Sequence, residues 1–534
     1  MMHLLHLTLV AGCAESPRRR TAGRPVRVRS LCVPLLLAGS LLVTEARAAC
    51  AQVTAPQRAR AAGAGANGAG IDSLAIRAHT RFLADDMLAG RGTGTEGERL
   101  AAAYIVSQLE RLGLEPLSDD RSFMLPMPLR RARIDDATQV TIAARTGTRT
   151  FRNTHDFIVN TGGAGAFRDF EGRAFFLGQA VHAGARAPAV PAGGVAVFLG
   201  PLGGSAVELV PALVEAGVTG VVVLVPDTAQ YDLYVRSRGD TRYFVDAPVD
   251  DPVWQPTLPV LIAGPVMTEA LLADGDVPPA IGQGEEGPGA DLGRVITATI
   301  RADIATVFAA NIGAALPGSD PELRDEFVVY TAHYDHLGIS TPDAAGDSIY
   351  NGFSDNAAGV AMLLAIAEAM REAPPARSVA FLFFTGEERG LLGSAYMASA
   401  SPLPLDRIAA LINLDAGAPP APPLNWRIAG GEGVPLGTLA ASIAEQHGWS
   451  AALSAASPNS DYWPFLQRGV PSIFIIPGDR WENTTTDERD ALRRRWDRYH
   501  QAGDHWHPDF PFSGLHRYAT FALAVGMATA SHAW

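Results

Sequence analysis

Near-continuous apolar runs punctuate the second half of the chain at 327–331, 378–384, 408–414 and 472–476. Each is bounded by polar or glycine-rich residues. Between them, apolar positions recur at helical spacing over 357–371, 392–399 and 435–446. Apolar strands alternating with helices predict a sheet buried on both faces. The fold class expected is therefore α/β, with a mixed, mostly parallel sheet sandwiched by helices. Two further amphipathic helices are predicted near the start of the ordered chain, at 71–87 and 98–112. The glycine-rich turn LAGRGTGTEG lies between them.

From 151 to 290 the texture changes to short Val, Ala, Phe and Leu runs separated by Gly and Pro. Strands are expected at 195–199, 220–225 and 258–262, and short helices at 209–216 and 268–273. No cluster of catalytic side chains lies here, and His182 stands alone. The segment is expected to form a separate, smaller β-rich α/β domain. It divides the main domain into an N-terminal part, 71–150, and a larger part, 291–534.

Positions 1–48 carry an Arg-rich stretch, an apolar run and the small-residue pattern Ala46-Arg47-Ala48, as an export signal does. A flexible Ala/Gly linker over 49–70 follows. The protein is thus expected in the periplasm or outside the cell, with a lipid anchor on Cys13 or Cys50 as the lesser alternative. The apolar run is too short for a membrane span. Seven Arg against two Glu give this leader a charge of +5, so −18 of the total −13 falls on the remainder. That balance argues against nucleic acid and anionic membranes as partners. All 43 basic residues are Arg, which excludes lysine-dependent chemistry such as a Schiff base. Beyond Cys50 there is no cysteine, hence no internal disulfide or thiolate metal site in the body.

Candidate chemistry collects where strands end. His333 follows VVYTA, Asp355 starts a helix, Glu388 follows FLFFTG, Asp415 follows IAALINL, and His500 lies in DRYHQAGD. Imidazoles and carboxylates without thiolates suit zinc. Two histidines and three carboxylates exceed one tetrahedral ion and suit two ions sharing a carboxylate. The Glu387-Glu388 doublet would be self-repelling unless one carboxylate binds metal and the other acts as a base. Asp335, two residues after His333, would share its face if the strand continues. It could then accept the second ring N–H of His333. Taken singly, each residue has a bland account, such as a helix N-cap for Asp355; their succession at strand ends is what favours a metal site. His336, His505, His507 and His516 are read as structural or solvated.

The stretches TAHYDHLG, YNGFSDNAAGVAMLL, FFTGEERGLLGSAY, INLDA, SDYWPFLQRGVPSIF and RYHQAGD resemble the M28 family of zinc metallopeptidases. The N-terminal FLADDMLAGRGTGTEGERLAAAYIVSQLERLGLEP is similar to the family's opening segment. The 151–290 segment resembles an inserted protease-associated domain. The resemblance implies the zinc-exopeptidase fold and two zinc ions per chain bridged by Asp355. Glu388 and His500 would complete one site, and His333 and Asp415 the other. It further implies that Glu387 is the general base, that Asp335 orients His333, and that peptides are the substrates. Three departures stand out: Ser354 before Asp355, Ala416-Gly417-Ala418-Pro419 after Asp415, and an Arg-rich insert before His500. The expected function is an aminopeptidase. A carboxypeptidase with the same ligands, or an inactive peptide-binding relative, stays open at this point.

Overall fold

The computed structural model describes residues 70–160, 166–179, 190–200, 210–247, 258–272 and 289–531. The expected leader, all but the last residue of the linker, and His182 lie outside them.

Phe327–His333 is the central strand of a nine-stranded sheet. Its side chains alternate with the period of the pleat. Val328, Tyr330 and Ala332 enter one apolar core, while Val329 enters a second core on the opposite face. Ser378–Phe384 and Ile408–Asn413 flank it, both parallel, and Ser472–Pro477 extends the parallel centre. The flanks turn antiparallel. Ala310–Leu316 pairs with Ser378–Phe384 on one side, and Asn425–Ala429 pairs with Ser472–Pro477 on the other.

The first face is covered by Ser73–Leu83, Glu96–Leu112, Ala358–Glu372, Pro435–Gln446 and Ser513–Ser531, whose apolar residues join one core. Leu392–Ser399 and Trp463–Leu466 cover the second face. Burial on both faces explains why the central strands lack a polar alternation in the sequence. Among the described residues, Phe353–Glu372 is the one stretch long and apolar enough to cross a membrane, and 89% of its apolar window is buried inside the protein.

The GTGTEG turn is held by its own side chains. Thr95 caps the helix Glu96–Leu112, and Glu98, fully buried, accepts the Gly94 N–H at 2.6 Å. Just before the turn, Arg91 projects into the protein. Its guanidinium donates to the carbonyls of Tyr334, Leu83, Asn351 and Gly352. The N-terminal segment thereby clamps the loop that leads to Asp355.

A second, eight-stranded sheet draws its strands from Gln139–Ala144 to Ala290–Thr299. It reaches beyond the expected 151–290 at both ends. Gln139–Ala144 and Ala290–Thr299 bury alternate residues over part of their length, a weaker signal than the apolar runs at the sheet's centre. A three-stranded sheet of Thr241–Val245, Leu129–Ile134 and Ala302–Thr306 lies beside it. From Thr241–Val245, the Tyr243 ring lies 5.2 Å from the Arg389 guanidinium, next in sequence to Glu388.

Candidate metal centre

The parallel centre of the sheet sends successive strand ends to one edge, where open α/β sheets carry their ligands. His333 is the last residue of its strand and pairs with Phe384. Gly386 then takes φ +68°, which turns the chain into Glu387 and Glu388. Asp415 lies two residues past Ile408–Asn413. Asp355 sits just ahead of Ala358–Glu372, in an irregular turn opened by Gly352 at φ +60°. A side chain at Gly352 would collide with the Asp355 carbonyl and the His336 ring.

Asp355 stands at the middle of the cluster. His333 Nε2 lies 3.1 Å from Asp355 Oδ1 and 2.9 Å from Asp415 Oδ1. His500 Nε2 lies 3.0 Å from Asp355 Oδ2 and 3.4 Å from Glu388 Oε2. Donors bound at about 2.0–2.1 Å to one tetrahedral zinc ion are about 3.3–3.4 Å apart. These spacings of 2.9 to 3.4 Å therefore fit two groups of ligands meeting at one carboxylate. One donor atom each from His333, Asp355 and Asp415 lies within 4.8 Å of the others, and the same holds for His336, Asp355 and Glu388.

Charge points the same way. Asp335, Asp355, Glu387, Glu388, Asp415 and Asp461 crowd around His333, His336 and His500. Six carboxylates remain in excess even if all three imidazoles are protonated, so the cluster suits divalent cations. Burial pushes the Glu387 carboxyl well above the usual range, and Asp415, Asp461 and Glu388 add to the push. Burial also raises Asp461, to about 7. For Asp355, burial works upward but hydrogen bonds from His333 and His500 hold it well below the usual range. Glu388 is brought down to about 2, with His336 and His500 outweighing burial and Asp355.

The surrounding shell is polar and ordered. Asp335 holds His333 through its main-chain oxygen, 3.1 Å from Nδ1, while its carboxylate is 3.7 Å away. That carboxylate instead accepts Thr93 Oγ1 at 2.6 Å and the Glu387 N–H at 3.2 Å. The strand ends at His333, so the side-chain pairing expected from strand spacing gives way to a carbonyl contact. Asp415 Oδ2 accepts the Ser460 hydroxyl, which takes an N–H from Asn413 at 2.6 Å. Asp504 accepts the N–H groups of Ser354 and Asp355, fixing the backbone that carries the central carboxylate.

His336 corrects the sequence reading. It is fully buried, and its Nδ1 lies 2.6 Å from Glu388 Oε1. It belongs to the cluster, which its position four residues before a long loop did not disclose. Asp461 is a second residue the sequence reading left out. It is fully buried, and neither carboxylate oxygen meets a donor in bonding geometry. His505 is exposed and His507 half-buried, both apart from the cluster. The Arg-rich insert forms the helix Thr486–Trp496, opened by a capping box of Thr485 and Glu488. It ends just before Tyr499, whose ring stacks on His500 at 3.9 Å.

A mixed α/β sheet with buried imidazoles and carboxylates at its carboxyl edge defines a protein with a candidate metal centre. Residues 311–525 match the family model described as Peptidase family M28. That stretch of the chain is thus similar to the M28 peptidases. It is 28% identical over 190 residues to "Aminopeptidase YwaD" of Bacillus subtilis, covering 34% of this chain and 39% of that protein. It is 30% identical over 208 residues to a "Probable zinc metalloprotease" of Pyrenophora tritici-repentis, covering 37% of this chain and 44% of that protein. The chain therefore spans about two fifths of the length of these relatives. Its fold is similar to "Aminopeptidase from Aneurinibacillus sp. strain AM-1", with TM-score 0.50 and 16% identity over 87% of this chain and 95% of that one.

Proposed function

We propose that this protein is an exported dinuclear zinc exopeptidase, an aminopeptidase that removes N-terminal residues from peptides. The observation that carries this reading is the meeting of His333 with Asp415 and of His500 with Glu388 on the two oxygens of Asp355. The donor set is imidazole and carboxylate throughout, as zinc hydrolase sites are. His333, Asp355 and Asp415 would hold one ion, and Asp355, Glu388 and His500 the other. When bound, the ions supply Lewis acidity, lowering the pKa of water and offsetting negative charge that develops on the scissile carbonyl.

The chain's own residues do the rest. Glu387 takes a proton from the attacking water on its carboxylate and returns it to the leaving amine nitrogen. Its backbone N–H is fastened to Asp335, which also orients His333, so base and ligand share one support. The surplus of carboxylates favours a cationic free amine over a carboxylate end, which is why we read an aminopeptidase rather than a carboxypeptidase. The second sheet we take as a protease-associated module. The Arg-rich leader would direct export.

The test is hydrolysis of aminoacyl-p-nitroanilides, their N-acetylated forms and carboxypeptidase substrates by wild type and Glu387→Gln. The reading expects cleavage of free-amine substrates alone. The variant should keep its metal and lose about 10²–10⁴-fold in kcat. Turnover by Glu387→Gln within tenfold of wild type would remove Glu387 as base. Cleavage of carboxypeptidase substrates alone would overturn the specificity.

A further inference from the structure

His336 occupies a position that the ligand scheme above leaves without a task. It is completely buried, its backbone N–H donates to the Arg91 carbonyl at 3.0 Å, and its ring lies against Gly352. Nδ1 is 2.6 Å from Glu388 Oε1 and 3.8 Å from Asp355 Oδ2. Nε2 is buried without a hydrogen-bond partner among the described residues.

Two roles are compatible with such a ring: ligand, or holder of a ligand. The geometry separates them. A distance of 2.6 Å is that of a short charge-assisted hydrogen bond. It is shorter than all the 2.9–3.4 Å spacings read above as shared-ion pairs, and further than they are from the roughly 3.3–3.4 Å that two donors on one tetrahedral ion would keep. The tautomer agrees. A ligating histidine almost always donates its other ring N–H to an oxygen, as His333 does to the Asp335 carbonyl. Binding metal through Nδ1 would leave an N–H at Nε2 buried without a partner among the described residues. With the proton on Nδ1 instead, the bond to Glu388 is made and only a bare lone pair is left unpartnered, the lesser cost.

We propose that His336 is a positioning residue for Glu388: it holds Oε1 and so presents Oε2 to the ion shared with His500 and Asp355. The carboxylate is thereby divided, one oxygen for the protein and one for the metal. This rests on the two-ion reading of the site.

The test is titration of the metal-free full chain with Co²⁺ alone, followed by calorimetry and visible absorption, for wild type, His336→Phe, His336→Asn and His336→Gln. Asparagine places an N–H donor where Nδ1 stands, glutamine where Nε2 stands. Wild type should take two equivalents. His336→Phe and His336→Gln should weaken one of them by about 10–100-fold and leave the other unchanged. His336→Asn should recover most of that loss. Asparagine as poor as phenylalanine would overturn positioning in favour of direct ligation. Unchanged affinity in all three variants would leave His336 a packing residue, with the two-ion reading intact. A single equivalent in wild type would bring down the two-ion reading and this inference with it. Asparagine and glutamine carry the comparison should the phenylalanine variant fail to fold.

Discussion

Arg91 offers a quantitative test of how the N-terminal segment supports the site. Arg91 is 1% exposed, and its guanidinium donates to four carbonyls, those of Tyr334, Leu83, Asn351 and Gly352. Hydrogen bonds from a charged donor contribute about 1.5–3 kcal/mol each, so four amount to about 6–12 kcal/mol. Burial opposes them. It brings the Arg91 pKa from the ordinary 12.5 down to about 10, against the pull of Asp355 and Asp335. At about 1.36 kcal/mol per pKa unit, that is a cost of roughly 3 kcal/mol. Arg91→Met keeps the length of the side chain and removes every donor, leaving four carbonyls short of partners. The expected loss is about 3–9 kcal/mol, a large part of the roughly 5–15 kcal/mol that a domain commands. Urea unfolding followed by far-UV circular dichroism measures it. Arg91→Lys, a point donor without the planar fork, should fall between the two. A methionine variant within about 1 kcal/mol of wild type, or a lysine variant equal to it, would refute the reasoning.

Other consequences are independent of the clamp. His79 is buried, and burial, aided by Arg111, lowers its pKa from 6.5 to about 4. Because the folded-state pKa lies below the unfolded one, the unfolded chain holds the extra proton between them, and stability falls as pH drops from 6.5 to 4. The loss is about 3 kcal/mol. His79→Phe should abolish this component, and an unfolding free-energy gap to wild type that stays constant across the window would contradict it. Gly526 is built against Tyr330, where an added Cβ would lie 1.7 Å from the phenol oxygen. Gly526→Ala should cost about 1–3 kcal/mol or more. Tyr330→Phe should relieve part of that cost, so strict additivity in the double variant would refute the clash.

The central strands and their helices were legible because burial on both faces writes an unbroken apolar run, as in SVAFLFF over Ser378–Phe384. Strands with one wet face were not. Leu129–Ile134 reads LRRARI, and only Leu129, Ala132 and Ile134 are buried. Asn425–Ala429 reads NWRIA and alternates polar with apolar residues, but five residues are too short a run for that pattern to stand out. At the site, residues that end apolar strands could be picked out one by one. His336 could not, because its meeting with Glu388 depends on a loop closure between residues 52 apart in sequence. Asp461 stayed hidden for a similar reason: its burial is created by the second core and announced by no motif.

The most direct test of the account is anomalous scattering at the zinc edge from crystals of the zinc-loaded protein. The account predicts two peaks about 3.5–4 Å apart, one beside His333 and Asp415, one beside His500 and Glu388, with Asp355 between them. A single peak, or none at these residues, would contradict it.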